Sequence, residues 1–138
     1  MNDSISRDKI TEHLVKHHRD YSIWLTTYGR KTGKPRVVQI WFAYLNGEFC
    51  ILSRHGAESW WARNILSNNN VIVNLSGLAV SATAETVSDR ELTDLVWKYY
   101  RGKYRFYPQT YAFSWKKRLL FRIRFRHIVS EAFSDRAP

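Results

Sequence analysis

The segment VVQIWFAYLNGEFCILS, residues 37–53, decides the fold. Its two halves, residues 37–45 and 48–53, are rich in β-branched and aromatic residues, the types that favour strands. Asn46 and Gly47 stand between them, and both residue types tolerate the positive φ of a type I′ turn, the strongest short-range signal for a hairpin. The segment therefore predicts two paired antiparallel strands.

Further strands are predicted on both sides of this hairpin. Residues 22–28 form one strand-like run, and residues 71–75 and 79–87 flank the turn Ser76-Gly77. Near the end of the chain apolar and basic residues alternate strictly, which predicts a half-buried strand with a basic face. Its two faces carry Phe121, Ile123 and Phe125 on one side and Arg122, Arg124 and Arg126 on the other.

Three helices are predicted between these strands. Residues 6–19 carry apolar residues at helical spacing, Ser59 can cap a short helix over 60–66, and Ser88 with Glu91 has capping-box spacing before an apolar helical stripe. The order is helix, three strands, helix, two strands, helix, strand. Because hairpins dominate, we expect a mainly β fold: a closed or nearly closed antiparallel barrel of six strands with helices packed outside.

The length of 138 residues, with 44% hydrophobic content, suits one domain and excludes a multidomain enzyme. We expect a single domain over residues 1–138. Its parts are an N-terminal helix in 1–20, a barrel core with a short helix in 22–87, a helix and a basic aromatic segment in 88–117, and a final strand in 118–133.

Membrane-spanning and metal-binding classes are not expected. No run approaches the roughly 18 to 20 apolar residues that a spanning helix needs, and the polar N-terminus does not resemble a signal peptide. A cytoplasmic location is therefore expected, with peripheral contact at the inner face of the membrane left open. Cys50 is the single cysteine, so no internal disulfide is possible, and no metal-ligand spacing occurs.

A formal net charge of +10 predicts attraction to polyanions of any class. Residues 97–127 hold ten Lys and Arg, no Asp or Glu, and eleven aromatic residues. This pattern is what a groove for single-stranded nucleic acid needs, and it also suits contact with an anionic membrane. The alternative for the strand arginines is a solvated face.

No catalytic group stands out from the residues alone. The acids are scattered, which excludes a paired-carboxylate site, and Cys50 lies in an apolar strand where a small buried hydrophobe is expected. His13, His17 and His18 are expected on solvated helix surface, and His55 stands alone in a loop. Catalysis by this chain therefore needs a cofactor.

The loop GRKTGKPR, residues 29–36, is the most specific local feature. It places four cations and a hydroxyl between two strands, with glycines that allow backbone N–H groups to converge on an anion. A phosphate cradle is one interpretation and a solvated basic turn is the other. It is not a P-loop, because the GxxxxGK[ST] order is absent. A second basic loop, residues 53–56, ends the central hairpin, and a barrel can bring the two together.

Residues 25–75 combine the patterns LTTYGRKTGKPR, SRHG, WARN and VIV in that order. This run resembles the deazaflavin-dependent nitroreductase family of the flavin-reductase-like split β-barrel superfamily, which also contains the pyridoxamine phosphate oxidases. The resemblance implies a small FMN-binding type of split barrel, usually a homodimer. It further implies that coenzyme F-420, or FMN in related proteins, passes hydride to a small-molecule acceptor of the quinone, nitro or enone type.

The same resemblance implies the site residues. The cofactor-binding set is Arg30, Lys31, Thr32, Gly33, Arg36, Ser53, Arg54, Trp61 and Asn64. Substrate-facing tyrosines, one of which gives the closing proton, correspond to Tyr100, Tyr104 and Tyr107, with packing as their alternative role. The chain departs from the family pattern at His55, often glycine, and at Asn70, often proline. Nucleic acid remains the alternative partner.

Overall fold

The computed structural model describes residues 2–105 and 118–131, and these ranges contain three helices and seven strands. The helices are α1 (Asn2–Lys16), α2 (Trp60–Ser67) and α3 (Arg90–Lys103), with a single 3-10 turn at Gly56–Glu58. The strands are β1 (Ile23–Tyr28), β2 (Pro35–Ile40), β3 (Ala43–Leu45), β4 (Glu48–Ser53), β5 (Asn70–Leu75), β6 (Leu78–Val87) and β7 (Leu119–Glu131).

All seven strands belong to one sheet in the order β2-β1-β5-β6-β7-β4-β3, and every pairing is antiparallel. β2 and β3 are neighbours in the chain, yet they lie at opposite ends of this order. The sheet must therefore curl until its two ends approach each other. The result is an antiparallel half-barrel with flanking helices, which confirms the predicted fold class.

The predicted number of strands, six, is wrong. The run 37–45 is not one strand: β2 pairs with β1, and only Ala43–Leu45 pairs with β4. Between them the backbone of Phe42 leaves the ladder and bonds to α3. The Phe42 N–H donates to Tyr104 Oη at 3.3 Å, and Lys103 Nζ donates to Phe42 O at 3.1 Å. Side chains about sixty residues away in sequence thus stabilise the break.

The two predicted turns lie where expected, and Ser76 and Gly77, between β5 and β6, have φ of 48° and 89°. Asn46 and Gly47 have φ of 52° and 75°, as a type I′ turn requires, so the predicted turn is confirmed. The predicted Ser88 capping box is wrong, because Asp89 is the N-cap of α3. Its Oδ1 accepts from the N–H groups of Glu91 at 2.9 Å and of Leu92 at 3.2 Å.

The buried apolar side chains form two clusters, one on each side of the sheet. The larger cluster fills the curl and includes Leu25, Ile51 and Phe121, with Ile10 and Leu14 of α1 packed into it. The smaller cluster lies between α3 and the strands β3, β4 and β7, and its members are Ala43, Cys50, Leu52, Leu92, Val96, Tyr100, Tyr104 and Leu120. The predicted burial of Cys50 is confirmed, and burial raises the pKa of its thiol to about 12.

The histidines in α1 and just after it are less solvated than predicted. His13 is half-buried, and its Nε2 lies 2.6 Å from Leu75 O at the end of β5. His17 Nδ1 lies 3.1 Å from Asp20 Oδ2. The expectation of a solvated surface fails for His13 because α1 lies against the sheet beside the β5–β6 turn.

Candidate functional site

The loop between β1 and β2 is closed by its own backbone. The Gly29 N–H donates to Lys34 O at 2.9 Å, and the Gly33 N–H donates to Gly29 O at 2.9 Å. Thr32 Oγ1 accepts from the Lys34 N–H at 3.2 Å. The glycine N–H groups that were expected to converge on an anion are therefore used inside the loop, and the positive charge must come from side chains.

A cleft of about 440 Å³, the basic cleft, opens between this loop and the start of α2. It is lined by Gly29, Arg30, Lys31, Thr32, Arg36, Trp60 and Asn64. The lining contains three cations and no acid. Five of the predicted cofactor-binding residues meet here, whereas Gly33 does not line the cleft.

Trp60 is a lining residue that the sequence prediction missed. Its side chain is 43% exposed, whereas the neighbouring Trp61 is 8% exposed and packs against Phe121. Residues four apart share one face of a helix, so the spacing between Trp60 and the predicted residue Asn64 was a signal that Trp60 lies on the same side of α2.

Within the basic cleft, Arg30 is held by residues of α2. Its Nη1 donates to Asn64 Oδ1 at 3.1 Å and lies 3.4 Å from Trp60 O. The Asn64 Nδ2 in turn donates to Thr27 Oγ1 at 3.1 Å. Asn64 and Thr27 are 4% and 0% exposed, so a buried polar pair links β1, α2 and the basic loop.

A second cleft of about 380 Å³, the aromatic cleft, shares Trp60 with the basic cleft. It contains the predicted residues Arg54 and Trp61, and the Arg54 guanidinium carbon lies 4.9 Å from the centre of the Trp41 ring. Its full lining is Val38, Gln39, Ile40, Trp41, Leu52, Arg54, His55, Glu58, Ser59, Trp60, Trp61 and Tyr100. The two basic loops therefore border adjoining clefts.

Ser53 lines neither of these two clefts. It is fully buried, and its hydroxyl lies 2.8 Å from Gly56 O and 3.0 Å from Ser59 Oγ. The Ser59 side chain makes no capping bond to α2, although Ser59 is the N-cap residue as predicted. Ser53 thus holds the shape of the second basic loop.

The hydroxyls of Tyr100 and Tyr104 contact the backbone near the break between β2 and β3. Tyr100 Oη donates to Trp41 O at 3.0 Å and accepts from the Leu52 N–H at 3.2 Å. Tyr104 Oη donates to Tyr21 O at 2.7 Å. Both residues are almost fully buried. Their hydroxyls attach the backbone at Trp41 and Tyr21 to the C-terminal end of α3.

Burial also changes the acidity of these two tyrosines. Desolvation raises the pKa of Tyr100 well above its usual value, and it raises the pKa of Tyr104 as well. A raised pKa makes a phenol a weaker proton donor. Tyr107 lies outside the described residues, so the catalytic role of the three tyrosines stays a prediction.

Two of the three arginines on the basic face of β7, Arg122 and Arg124, form ion pairs with Glu48 and Glu85. Arg122 Nε lies 2.6 Å from Glu48 Oε1, and Glu85 Oε1 lies 3.3 Å from Arg122 Nη1 and 2.9 Å from Arg124 Nε. Desolvation makes the largest single contribution to the pKa of Glu85 and raises it. The hydrogen bonds and charges of the two arginines together outweigh desolvation, so the pKa of Glu85 is lowered. Paired arginines are poor partners for phosphates, so this face does not favour nucleic acid as the ligand.

Two classes of feature are missing from residues 2–105 and 118–131. No helix in these ranges has the length and apolar composition needed to cross a membrane. The same ranges contain no group of three or more His, Cys, Asp or Glu side chains that could hold a metal ion.

Solved structures share this fold at low identity. A candidate pyridoxamine 5′-phosphate oxidase from Listeria innocua matches with a TM-score of 0.66 and 17% identity over 89% of this chain and 95% of its own. An F-420-H2 dependent reductase, FDR-A, matches with a TM-score of 0.59 and 23% identity over 76% and 95%. A structure described as a domain-swapped dimer matches with a TM-score of 0.60 and 20% identity over 90% and 100%. These likenesses show the split-barrel fold alone.

A family model shows more than the fold. The model described as F-420H(2)-dependent quinone reductase matches residues 5–120, which include both clefts. The predicted class of deazaflavin-dependent reductase is confirmed by this match, and so is coenzyme F-420 as the cofactor. The chain belongs to the F-420H(2)-dependent quinone reductase family.

Proposed function

We propose that the basic and aromatic clefts together hold coenzyme F-420 and that the chain reduces a quinone, nitro or enone type acceptor beside it. One observation carries this proposal: Arg30, Lys31 and Arg36 line a cleft that adjoins an aromatic one at Trp60. An anionic group and a flat ring system are thereby given neighbouring sites.

The residues present fit the chemistry of this coenzyme. Its phosphodiester and glutamate tail are anionic, and three cations without an acid in the lining supply a matching field. Its ring system is flat, and the aromatic cleft offers the apolar side chains of Ile40, Trp41 and Leu52. Polar side chains line the same cleft, namely Gln39, Arg54, His55, Glu58 and Ser59. FMN also carries a phosphate, so it is the natural comparison in any binding experiment.

We assign the roles as follows. Lys31 and Arg36 contact the phosphate and the acidic tail, with Thr32 and Gly33 shaping the loop, and Arg54 and Trp61 border the ring. When bound, the reduced coenzyme supplies the hydride. The chain orients the acceptor, and the rings of Trp41, Trp60 and Trp61 exclude water from the reacting atoms.

A quinone is the acceptor that this arrangement favours. Hydride from the coenzyme and one proton, which solvent can supply after hydride transfer, convert a quinone to a hydroquinone, so the chain needs to bind a flat neutral ring and no proton donor of its own. The family description also names a quinone. We expect a higher kcat/KM for a soluble quinone than for a nitroaromatic or an enone, measured as loss of the reduced coenzyme's absorbance. A higher kcat/KM for either of the other two would reassign the acceptor.

Binding of the coenzyme is the first test. Purified protein is titrated with coenzyme F-420 and with FMN in parallel at two salt concentrations, and tryptophan fluorescence is followed. We expect saturable binding of coenzyme F-420 that weakens with salt, and Lys31→Gln should weaken it roughly tenfold. Lys34→Gln is the matched control, because Lys34 is an exposed cation of the same loop that does not line the cleft. Failure of both coenzymes to bind would contradict the proposal.

We also propose that the chain forms a homodimer. A structural neighbour is described as a domain-swapped dimer. In this chain the sheet ends at β2, where Val37 is 57% exposed, and the adjacent β1 presents Trp24 at 39% exposure. A second copy would cover such apolar side chains. Sedimentation equilibrium tests this, and a monomer at micromolar concentration would contradict it.

Peripheral contact with an anionic membrane follows from the same charge that favours the coenzyme. A net charge of +10 attracts acidic headgroups, and many quinones dissolve in lipid. Flotation with vesicles should enrich the protein on acidic lipids over neutral ones. Equal recovery with both vesicle types would rule this contact out.

A further inference from the structure

The cations of the basic cleft are held in different ways. Arg30 donates from Nη1 to Asn64 Oδ1 at 3.1 Å. In the part of the chain that the structure describes, neither Lys31 nor Arg36 makes a side-chain hydrogen bond or ion pair, and both are exposed. Arg30 is exposed as well, so its bonds to α2, and not burial, distinguish it from the other two cations before any ligand arrives.

The residue that fixes Arg30 is itself fixed. Asn64 is 4% exposed, and its Nδ2 donates to the Thr27 hydroxyl at 3.1 Å. A buried amide that lost one of these partners would leave a polar group unsatisfied, so alternative rotamers of Asn64 are disfavoured. Thr27 is fully buried on β1, which makes it the rigid end of the chain of bonds.

The remaining donors of Arg30 suit an anion. A guanidinium has five N–H donors, and the bonds to Asn64 and Trp60 use only Nη1. Nη2 and Nε remain for a phosphate or a carboxylate. A long side chain that is already ordered loses less conformational freedom when the anion binds, which strengthens binding.

We propose that Asn64 is a positioning residue, which holds the Arg30 guanidinium toward the basic cleft instead of contacting the coenzyme itself. This inference rests on the proposed function, because the anion is taken to be that of coenzyme F-420. It changes the role that the family resemblance implied for Asn64. It also gives Thr27, a residue with no exposed surface, a part in binding.

A double-mutant cycle separates positioning from direct contact. Arg30→Ala and Asn64→Ala are each expected to weaken binding of coenzyme F-420 by roughly tenfold, since each removes a hydrogen bond to a charged group. If Asn64 acts through Arg30, the double variant binds no more weakly than Arg30→Ala alone. If the two losses multiply, Asn64 contacts the coenzyme directly and the inference is wrong.

Thr27→Val provides a second variant with nearly unchanged shape. Because Thr27 is fully buried, it has no direct route to the coenzyme. We expect a loss of affinity of severalfold in the wild-type background and none in the Arg30→Ala background. Arg63→Ala is the matched control, because Arg63 is a cation on the same helix that bonds to Glu58 O at 2.9 Å and does not line the cleft. Its affinity should stay within about twofold of wild type.

A measurement without coenzyme makes the outcome independent of the proposed function. The side-chain ¹⁵Nε signal of Arg30 should show a rigid group in the wild type and in Arg63→Ala, and increased picosecond to nanosecond motion in Asn64→Ala and Thr27→Val. Unchanged motion of Arg30 in both of these variants would overturn the positioning role. If the wild type failed to bind coenzyme F-420 while Arg30 still moved more in Asn64→Ala and Thr27→Val, the proposed function alone would be contradicted.

Discussion

Individual residues of the site differ in how far the sequence could place them. Lys31 lies in the short loop between β1 and β2, and Arg36 is the second residue of β2, so local spacing is enough to bring them to one cleft. Ser53 and Trp60 depend on how α2 packs against the sheet. Ser53 is buried and Trp60 is exposed, and apart from the spacing between Trp60 and Asn64 no local pattern near either residue predicts this.

Tyr100→Phe tests whether a hydroxyl serves structure or catalysis. The substitution leaves Trp41 O and the Leu52 N–H without their partner, so the free energy of unfolding should fall by about 1–3 kcal/mol. We expect kcat to change by less than tenfold, because burial makes this phenol a weak acid. Denaturant unfolding and steady-state kinetics of the same preparation measure both quantities.

Tyr99→Phe is the control for this experiment, since Tyr99 is a half-buried tyrosine of the same helix whose Oη lies 3.4 Å from His18 O. If Tyr100→Phe lowered kcat by about a hundredfold with little loss of stability, the hydroxyl would be a proton donor, as the family resemblance implied.

Among the elements, α1 is attached to the sheet by apolar packing and, within the described ranges, by two polar contacts, the ion pair of Lys9 with Glu131 at 2.6 Å and the contact of His13 with Leu75 O. Its sequence places Ile10 and Leu14 on the buried side, and that pattern was readable. The contact of His13 with Leu75 O joins residues 62 apart, so it depends on the path of the sheet and not on the helix.

The attachment of α1 should depend on pH through His13. Desolvation, the main cause, lowers the pKa of His13 below its ordinary 6.5. The unfolded chain therefore takes up a proton near pH 6.5 while the folded protein does not, and stability is lost as the pH falls below that value. Urea unfolding between pH 8 and pH 5 should show this loss. His13→Gln should reduce the pH dependence. His18→Gln is the control and should leave it unchanged, because the His18 ring bonds only to the nearby Val15 O and not to the sheet, in the part of the chain that the structure describes.

The attachment of α3 should also depend on pH, but in the alkaline range and through Lys103. Burial lowers the pKa of Lys103 from 10.5 to about 8, and Nζ lies 3.6 Å from the centre of the Phe42 ring. Above pH 8 the folded protein releases this proton while the unfolded chain keeps it until about pH 10.5, so stability should rise with pH between these two values. Lys103→Met should remove the rise, and Lys98→Met, an exposed lysine of the same helix, should preserve it. The same slope in the wild type and in Lys103→Met would contradict this assignment.

At the level of the whole chain, the fold class was predictable, and the break that divides residues 37–45 into two strands was not. Alternation and turn residues identified the hairpins, because those signals are local. The division of residues 37–45 into β2 and β3 follows from pairing partners at opposite ends of the sheet. Strand signals continue across the break, so the sequence there predicts a single strand.

The location of charge, rather than its total, should determine coenzyme binding. Two double variants, Lys31→Gln/Arg36→Gln and Arg124→Gln/Arg126→Gln, each reduce the net charge from +10 by two, so both have the same long-range attraction to an anion. Only the first pair lines the basic cleft, and in the second pair Arg124 is already engaged by Glu85.

We therefore expect the first double variant to weaken binding of coenzyme F-420 by roughly a hundredfold and the second by less than threefold, measured by fluorescence titration at one salt concentration. Equal losses in the two variants would show that the overall field attracts the coenzyme without a defined site. Binding of a single-stranded oligonucleotide, measured alongside, should weaken equally in both variants and fall steeply with salt, because contacts of a diffuse kind depend on total charge. A selective loss in Arg124→Gln/Arg126→Gln would instead identify β7 as a nucleic-acid surface.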